Sequence, residues 1–184
     1  MRKFPLFLIA LTTIITIACS GEETVWDKYK DWREINEQWF LEQESLTDEN
    51  GNLYYTKITP EWNKSSYVLV HYFNDRSKTE GNLSPLYTST VDVKYIGRFY
   101  NDEAFDSSYN NVATYGDSIF RTTCNNVISG WTAVLEDMRV GDSCEVIIPY
   151  ALGYGDSETG VITPYSTLKF NISLVNIPYY QAKP

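Results

Sequence analysis

From Leu53 to Ile177 the chain is a succession of short β-branched and aromatic runs, each ended by turn residues. The runs Leu53 to Ile58, Tyr67 to Phe73 and Val91 to Phe99 are bounded by Pro60, by Asn74-Asp75 and by Gly81-Asn82, as strands joined by turns are. Ser118 to Thr122, Ser143 to Ile148 and Thr167 to Ile177 continue the series, and the last alternates so that Leu168, Phe170, Ile172 and Leu174 share one face. One short helix, at about Ser129 to Asp137, interrupts them. Short strands around a single helix predict an α+β domain with a mainly antiparallel sheet.

The region before the strands reads differently. Between Thr24 and about Gln43, Trp26, Tyr29, Trp32, Trp39 and Phe40 recur at helical spacing among charged residues, which predicts one amphipathic helix. Its aromatic stripe has three uses open to it: docking on the chain's own core, pairing with a second copy as a homodimer, or resting on lipid headgroups. The acidic surroundings disfavour the last. Asp48-Glu49-Asn50-Gly51-Asn52 ends the segment as a turn cluster.

The first residues have the order of an export signal: cationic Met1-Arg2-Lys3, an apolar run from Phe4 to Ala18, then Cys19. The run is about 15 residues, short of the roughly 20 that span a bilayer as a helix. Thr16-Ile17-Ala18-Cys19 resembles a bacterial lipobox, except that Thr16 stands where Leu is usual. That resemblance implies a lipoprotein cleaved before Cys19 and held to a membrane of the cell envelope, expected to be the outer membrane, by lipid on that cysteine. The expected organisation is a signal peptide over 1–18, a lipid-anchored helical segment over 19–50 and a folded domain over 51–184.

With a formal net charge of −9 and no cluster of Lys or Arg beyond Lys3, the chain lacks the footprint for nucleic acid. Cys124 and Cys144 have one pairing open to them as a disulfide in an exported chain, with two separate buried residues the favoured reading, and no CxxC partner or histidine cluster marks them as a metal site. His71 is the one histidine and reads as structural, which leaves nucleophilic hydrolysis without a base.

The block Val127-Ile128-Ser129-Gly130-Trp131, Met138-Arg139-Val140-Gly141, Ile148-Pro149, Gly153-Tyr154-Gly155 and Thr167-Leu168-Lys169-Phe170 resembles, in order and spacing, an FKBP-type peptidyl-prolyl cis/trans isomerase domain. Val91-Asp92-Val93-Lys94-Tyr95-Ile96-Gly97 followed by Phe105-Asp106-Ser107-Ser108 is similar to that family's strand-and-loop segment. Together with the lipobox, the likeness is to a lipoprotein form from a Bacteroidetes-like bacterium; Asp117-Ser118-Ile119 separately resembles the three-residue acceptor motif for O-glycosylation in such bacteria. It implies an antiparallel sheet curled around one short helix. It also implies an isomerase (rotamase), needing no cofactor or metal, that assists the folding of proline-containing unfolded or exported polypeptides.

Carried over residue by residue, the resemblance implies an apolar pocket floored by Trp131 and walled by Tyr95, Phe105, Phe120, Val127, Ile128, Val161, Ile162 and Phe170. It further implies that the Ile128 backbone N–H and the Tyr154 hydroxyl bond substrate carbonyls and that Asp106 sits beside the twisting amide. Val68-Leu69-Val70-His71-Tyr72 also looks like the family's Val-His-Tyr strand but lacks the following Phe-Asp, so it reads as an extra early strand. Ser118 stands where the family has a second aromatic, Asn126 where Glu or Gln is common, and the connection from Asp106 to Val127 is longer than in compact members. Tyr115 is a candidate to fill the gap left by Ser118. The same departures support an alternative reading, a catalytically weak chaperone or partner-binding module.

Overall fold

The computed structural model describes residues 23–110, 115 and 118–181. Cys19 and the export signal lie outside the described residues. The strands are β1 (Thr56–Ile58), β2 (Val68–Tyr72), β3 (Thr90–Arg98), β4 (Ala104–Ser107), β5 (Phe120–Thr123), β6 (Ser143–Ile148) and β7 (Leu168–Tyr179). They form one antiparallel sheet in the order β1-β2-β6-β7-β3-β4, with β5 also paired to β3. The mixed α+β class and antiparallel sheet expected from the sequence are present. The Val68–Tyr72 run is a sheet member, between β1 and β6.

Alternation along the strands explains how the sheet is covered on both faces. Val68 and Val70 on β2, and Val146 and Ile148 on β6, join the main core with Leu168, Phe170, Ile172 and Leu174 of β7. Helix α3 (Ser129–Asp137) closes that core with Trp131, Val134 and Leu135. Leu69 and Ile147 point the opposite way and form a second cluster with Phe40 and Tyr55. Each fully buried aliphatic side chain contributes about 1.5–3 kcal/mol. Gly130 permits the close seating of α3, because a Cβ there would lie 2.5 Å from Ile148 Cγ2.

The N-terminal helix is broken into α1 (Val25–Lys28) and α2 (Lys30–Glu44) by Tyr29, whose φ of −105° and ψ of 21° leave the helical region. Thr24 caps α1 through its hydroxyl, which accepts from the Asp27 N–H at 3.1 Å. The buried face of α2 is Arg33, Asn36 and Phe40 rather than the aromatic stripe alone. The break turns Trp26 towards Tyr165 while Trp32 meets Phe99 and Tyr100. Docking on the chain's own domain is thus the use the structure makes of this segment. Among the described residues no helix is long and apolar enough to cross a membrane.

His71 stacks on Tyr54 at 3.9 Å and its Nδ1 lies 2.9 Å from the Tyr54 carbonyl oxygen. Cys124 and Cys144 are buried free thiols.

Candidate active site

Strand β3 organises the site. Its period-two alternation sends Val91, Val93 and Tyr95 inward, Gly97 occupies the next inward position, and Phe99, just past the strand, is buried as well. Gly97 is opposite Phe170 on β7 and Asp106 on β4. A Cβ at Gly97 would fall 2.7 Å from both Phe105 Cζ and Phe170 Cε1. A side chain here would displace two aromatic walls, so the glycine is needed for close approach.

The rings meet edge to face. Tyr95 and Trp131 have centroids 5.0 Å apart at 86°, Trp131 and Phe170 5.2 Å at 89°, and Phe105 and Phe170 5.6 Å at 88°. Phe120 stands 5.6 Å from Tyr95. Such pairs are worth about 0.5–1.5 kcal/mol each beyond the area they bury, and they hold one another's orientation. The rings, with Asp106, Asn126, Val127, Ile128 and Tyr154, line a cleft of about 190 Å³. That is below the roughly 300–1,000 Å³ of drug-sized ligand sites and suits one small ring. A larger cleft of about 410 Å³ beside Trp62, Tyr87 and the end of α3 has no comparable aromatic floor.

The polar rim is built from the Phe105-Asp106-Ser107-Ser108 segment. Tyr95 donates its hydroxyl to Asp106 Oδ2 at 2.5 Å, and the Ser107 N–H donates to Asp106 Oδ1 at 2.8 Å. The buried Ser108 hydroxyl accepts the Tyr95 N–H at 2.9 Å, tying the segment to β3. Burial first, then the Asp106 carboxylate, pushes the Tyr95 phenol well above its ordinary range. Tyr154 is raised for the same two reasons in the same order. Both phenols are therefore neutral donors at neutral pH. Tyr95 directs its proton to Asp106, while the Tyr154 hydroxyl meets no acceptor among the described residues.

Ile128 is the N-cap of α3, and the Trp131 and Thr132 N–H groups donate to its carbonyl at 2.9 and 3.2 Å. Its own N–H precedes the first helical turn, among the N–H groups that a helix leaves without an internal acceptor.

Of the residues singled out from the sequence, Tyr95, Phe105, Asp106, Phe120, Val127, Ile128, Trp131, Tyr154 and Phe170 converge on this cleft. Val161 does not: it is 70% exposed at the tip of a tight turn in which Thr159 and Ile162 exchange backbone hydrogen bonds. The same turn buries Ile162 in the main core, and it too is absent from the cleft's lining. Tyr115 also stays outside, with its ring 4.3 Å from the Arg121 guanidinium. Ser118 is buried with a φ of +62°, so the site of the expected second aromatic is a left-handed turn entering β5. Asn126 lines the cleft and had no role from the sequence; its place immediately before Val127-Ile128 was the available signal.

An antiparallel sheet packed on one short helix, with a ring-sized aromatic cleft between them, is the arrangement that the resemblance to a peptidyl-prolyl isomerase family implies. Residues 82–175 match the family model of the FKBP-type peptidyl-prolyl cis-trans isomerases. The chain belongs to that family and carries its peptidyl-prolyl cis-trans isomerase activity. It is 32% identical over 176 residues to the macrophage infectivity potentiator of Trypanosoma cruzi, covering 94% of this chain and 78% of the relative. It is 35% identical over 124 residues to the FKBP-type isomerase FkpA of Escherichia coli K12, covering 65% of this chain but 43% of FkpA. In fold, the isomerase from Pseudomonas syringae pv. tomato superposes with a TM-score of 0.62 at 20% identity, covering 81% of this chain and 95% of that one. The crystal structure of FkpA superposes at 0.63 and 24% identity, covering 84% of this chain and 64% of that one.

Proposed function

We propose that the chain is an envelope-located prolyl isomerase that speeds the folding of exported polypeptides, working through the cleft between β3, β7 and α3. The observation that carries this is the set of edge-on rings of Tyr95, Trp131 and Phe170 around a cleft of about 190 Å³. Rotation about an X-Pro bond must give up amide resonance, and a trans peptide resists it by about 18–20 kcal/mol. The planar amide is more polar than the twisted one, so a dry aromatic surface favours the twisted form. In this reading Trp131 floors the proline ring, and Phe105, Phe120, Val127 and Phe170 wall it. The Ile128 N–H and the Tyr154 hydroxyl hold substrate carbonyls on either side, and Asp106, oriented by Tyr95, faces the rotating amide. No covalent step is involved.

Residues 1–18 serve as signal peptide, 19–50 carry the lipid on Cys19 and the helical segment, and 51–184 form the isomerase domain; the outer membrane is the proposed site. Pairing of two copies through α2 would use its outer face, where Ile35 and Leu41 are exposed. Sedimentation of residues 20–184 tests that pairing.

The deciding experiment is exchange NMR of a proline tetrapeptide with residues 20–184, alongside Trp131→Phe and Tyr154→Phe. Acceleration that falls in both variants supports the reading, and a folded protein without acceleration overturns it. One observation favours the second reading, a weakly catalytic binding module: Ser118 contributes no ring, and Tyr115 does not replace it. Peptide binding without acceleration would select that reading.

A further inference from the structure

The helical segment ahead of the sheet lies outside residues 82–175, yet it fastens three consecutive residues behind the cleft. Trp26 meets Tyr165 edge-on at 5.3 Å. The Trp32 indole N–H donates to Ser166 Oγ at 3.1 Å, and that hydroxyl in turn donates to the Thr163 carbonyl at 2.7 Å. Asn36, with no exposed surface, accepts the Thr167 N–H at 2.9 Å through Oδ1. Its own carbonyl takes the Thr167 hydroxyl at 3.2 Å, and its Nδ2 is satisfied by the Trp32 carbonyl at 2.8 Å.

Two of the three fastened residues, Tyr165 and Thr167, lead to the cleft. Thr167 is three residues before Phe170 and immediately precedes β7. Tyr165 holds a φ of +64°, which a non-glycine residue keeps only where its surroundings determine it. Its N–H donates to the Gly155 carbonyl at 2.8 Å, next to Tyr154. A second route runs through rings: Trp32 to Phe99 at 6.3 Å, Phe99 to Phe105 at 4.8 Å, and Phe105 to Phe170 at 5.6 Å.

We infer that Trp32 and Asn36 are positioning residues for isomerisation, Trp32 setting Phe105 through Phe99 and Asn36 setting Phe170 through Thr167. This rests on the cleft assigned above. The segment then does more than connect an anchor to a domain: α2 adds no lining residue to the cleft but fixes the place of two of its walls. A small displacement of positioned groups is enough to slow a reaction strongly.

The test compares full residues 20–184 with Trp32→Ala, Trp32→Phe and Asn36→Ala, all kept well below their unfolding temperatures. Turnover per folded molecule and the NMR signals of the Phe105 and Phe170 rings are read together. Trp32→Ala and Asn36→Ala are expected to lower kcat about tenfold with a smaller change in KM and to shift the Phe105 and Phe170 ring signals. Trp32→Phe, which keeps the packing on Phe99 but loses the Ser166 hydrogen bond, should recover most of that loss. Unchanged ring signals and unchanged turnover, with only a lower melting temperature, would overturn the inference. If the parent protein itself shows no turnover, the enzymatic reading fails separately, and the ring signals still decide whether the helix positions the cleft.

Discussion

The Tyr95 hydroxyl lies 2.5 Å from Asp106 Oδ2, so the inner wall of the cleft and its one carboxylate are held by a single hydrogen bond. Removing it with Tyr95→Phe should cost about 1.5–3 kcal/mol, as hydrogen bonds to charged groups do. Turnover should drop less than in Phe105→Ala, because the ring stays while only the orientation of Asp106 loosens. Thermal melts and exchange NMR on the same samples check both halves.

Gly97→Ala and Gly130→Ala should separate activity from stability. The first places a methyl group 2.7 Å from Phe105 and Phe170, the second 2.5 Å from Ile148. Each overpacks by about 1–3 kcal/mol, but only the first pushes cleft walls directly. A folded Gly97→Ala protein is expected to be about tenfold slower, with Gly130→Ala much closer to parent turnover.

Tyr115→Ala should leave both turnover and peptide affinity unchanged, since the ring rests on Arg121 instead of closing the cleft. A loss of affinity in an isothermal titration would return Tyr115 to the site.

Asp142 is buried and accepts from Thr79 at 2.6 Å, from Asn74 at 3.0 Å, from the Arg139 N–H at 2.9 Å and from Arg76 at 3.2 Å. Burial pulls its pKa upward, but these donors outweigh it and hold the carboxyl below its ordinary value. A carboxylate depressed in the folded state stabilises above its unfolded pKa, about 3.9, and loses that contribution as pH falls through the lower folded value. Acid unfolding should therefore be shallower in Asp142→Asn, which should also be about 3 kcal/mol less stable at neutral pH. Denaturant melts from neutral to acid pH measure it.

Burial pushes the Cys124 thiol up to about 12 and raises Cys144 as well. A thiol raised in the folded state stabilises below its unfolded pKa, about 8.5, and that contribution is lost as pH rises towards the folded value. Native protein at mildly alkaline pH should resist alkylation at both cysteines, while unfolded protein reacts, and stability should decline above that pH. Mass spectrometry after a timed alkylation reads the first expectation.

Strand period, turn residues and the motif pieces in order were enough to establish the sheet, its helix and most of the cleft. Leu168, Phe170, Ile172 and Leu174 alternate in the sequence and are all buried, because alternation along one strand is local information. Tyr95, Phe105, Trp131 and Phe170 were legible as a set through the resemblance to the FKBP family, because no local pattern joins rings from four separate elements. The tertiary structure alone decided what depends on neighbours distant in sequence. Asn36 looks like a surface residue on an amphipathic helix, yet its buried amide is satisfied by Thr167, 131 residues away. Val161 looks like a wall residue, but a tight turn aims it at solvent. The broken helix, the fate of Tyr115 and the left-handed Ser118 were settled in the same way, by packing and long-range hydrogen bonds whose partners no local pattern can name.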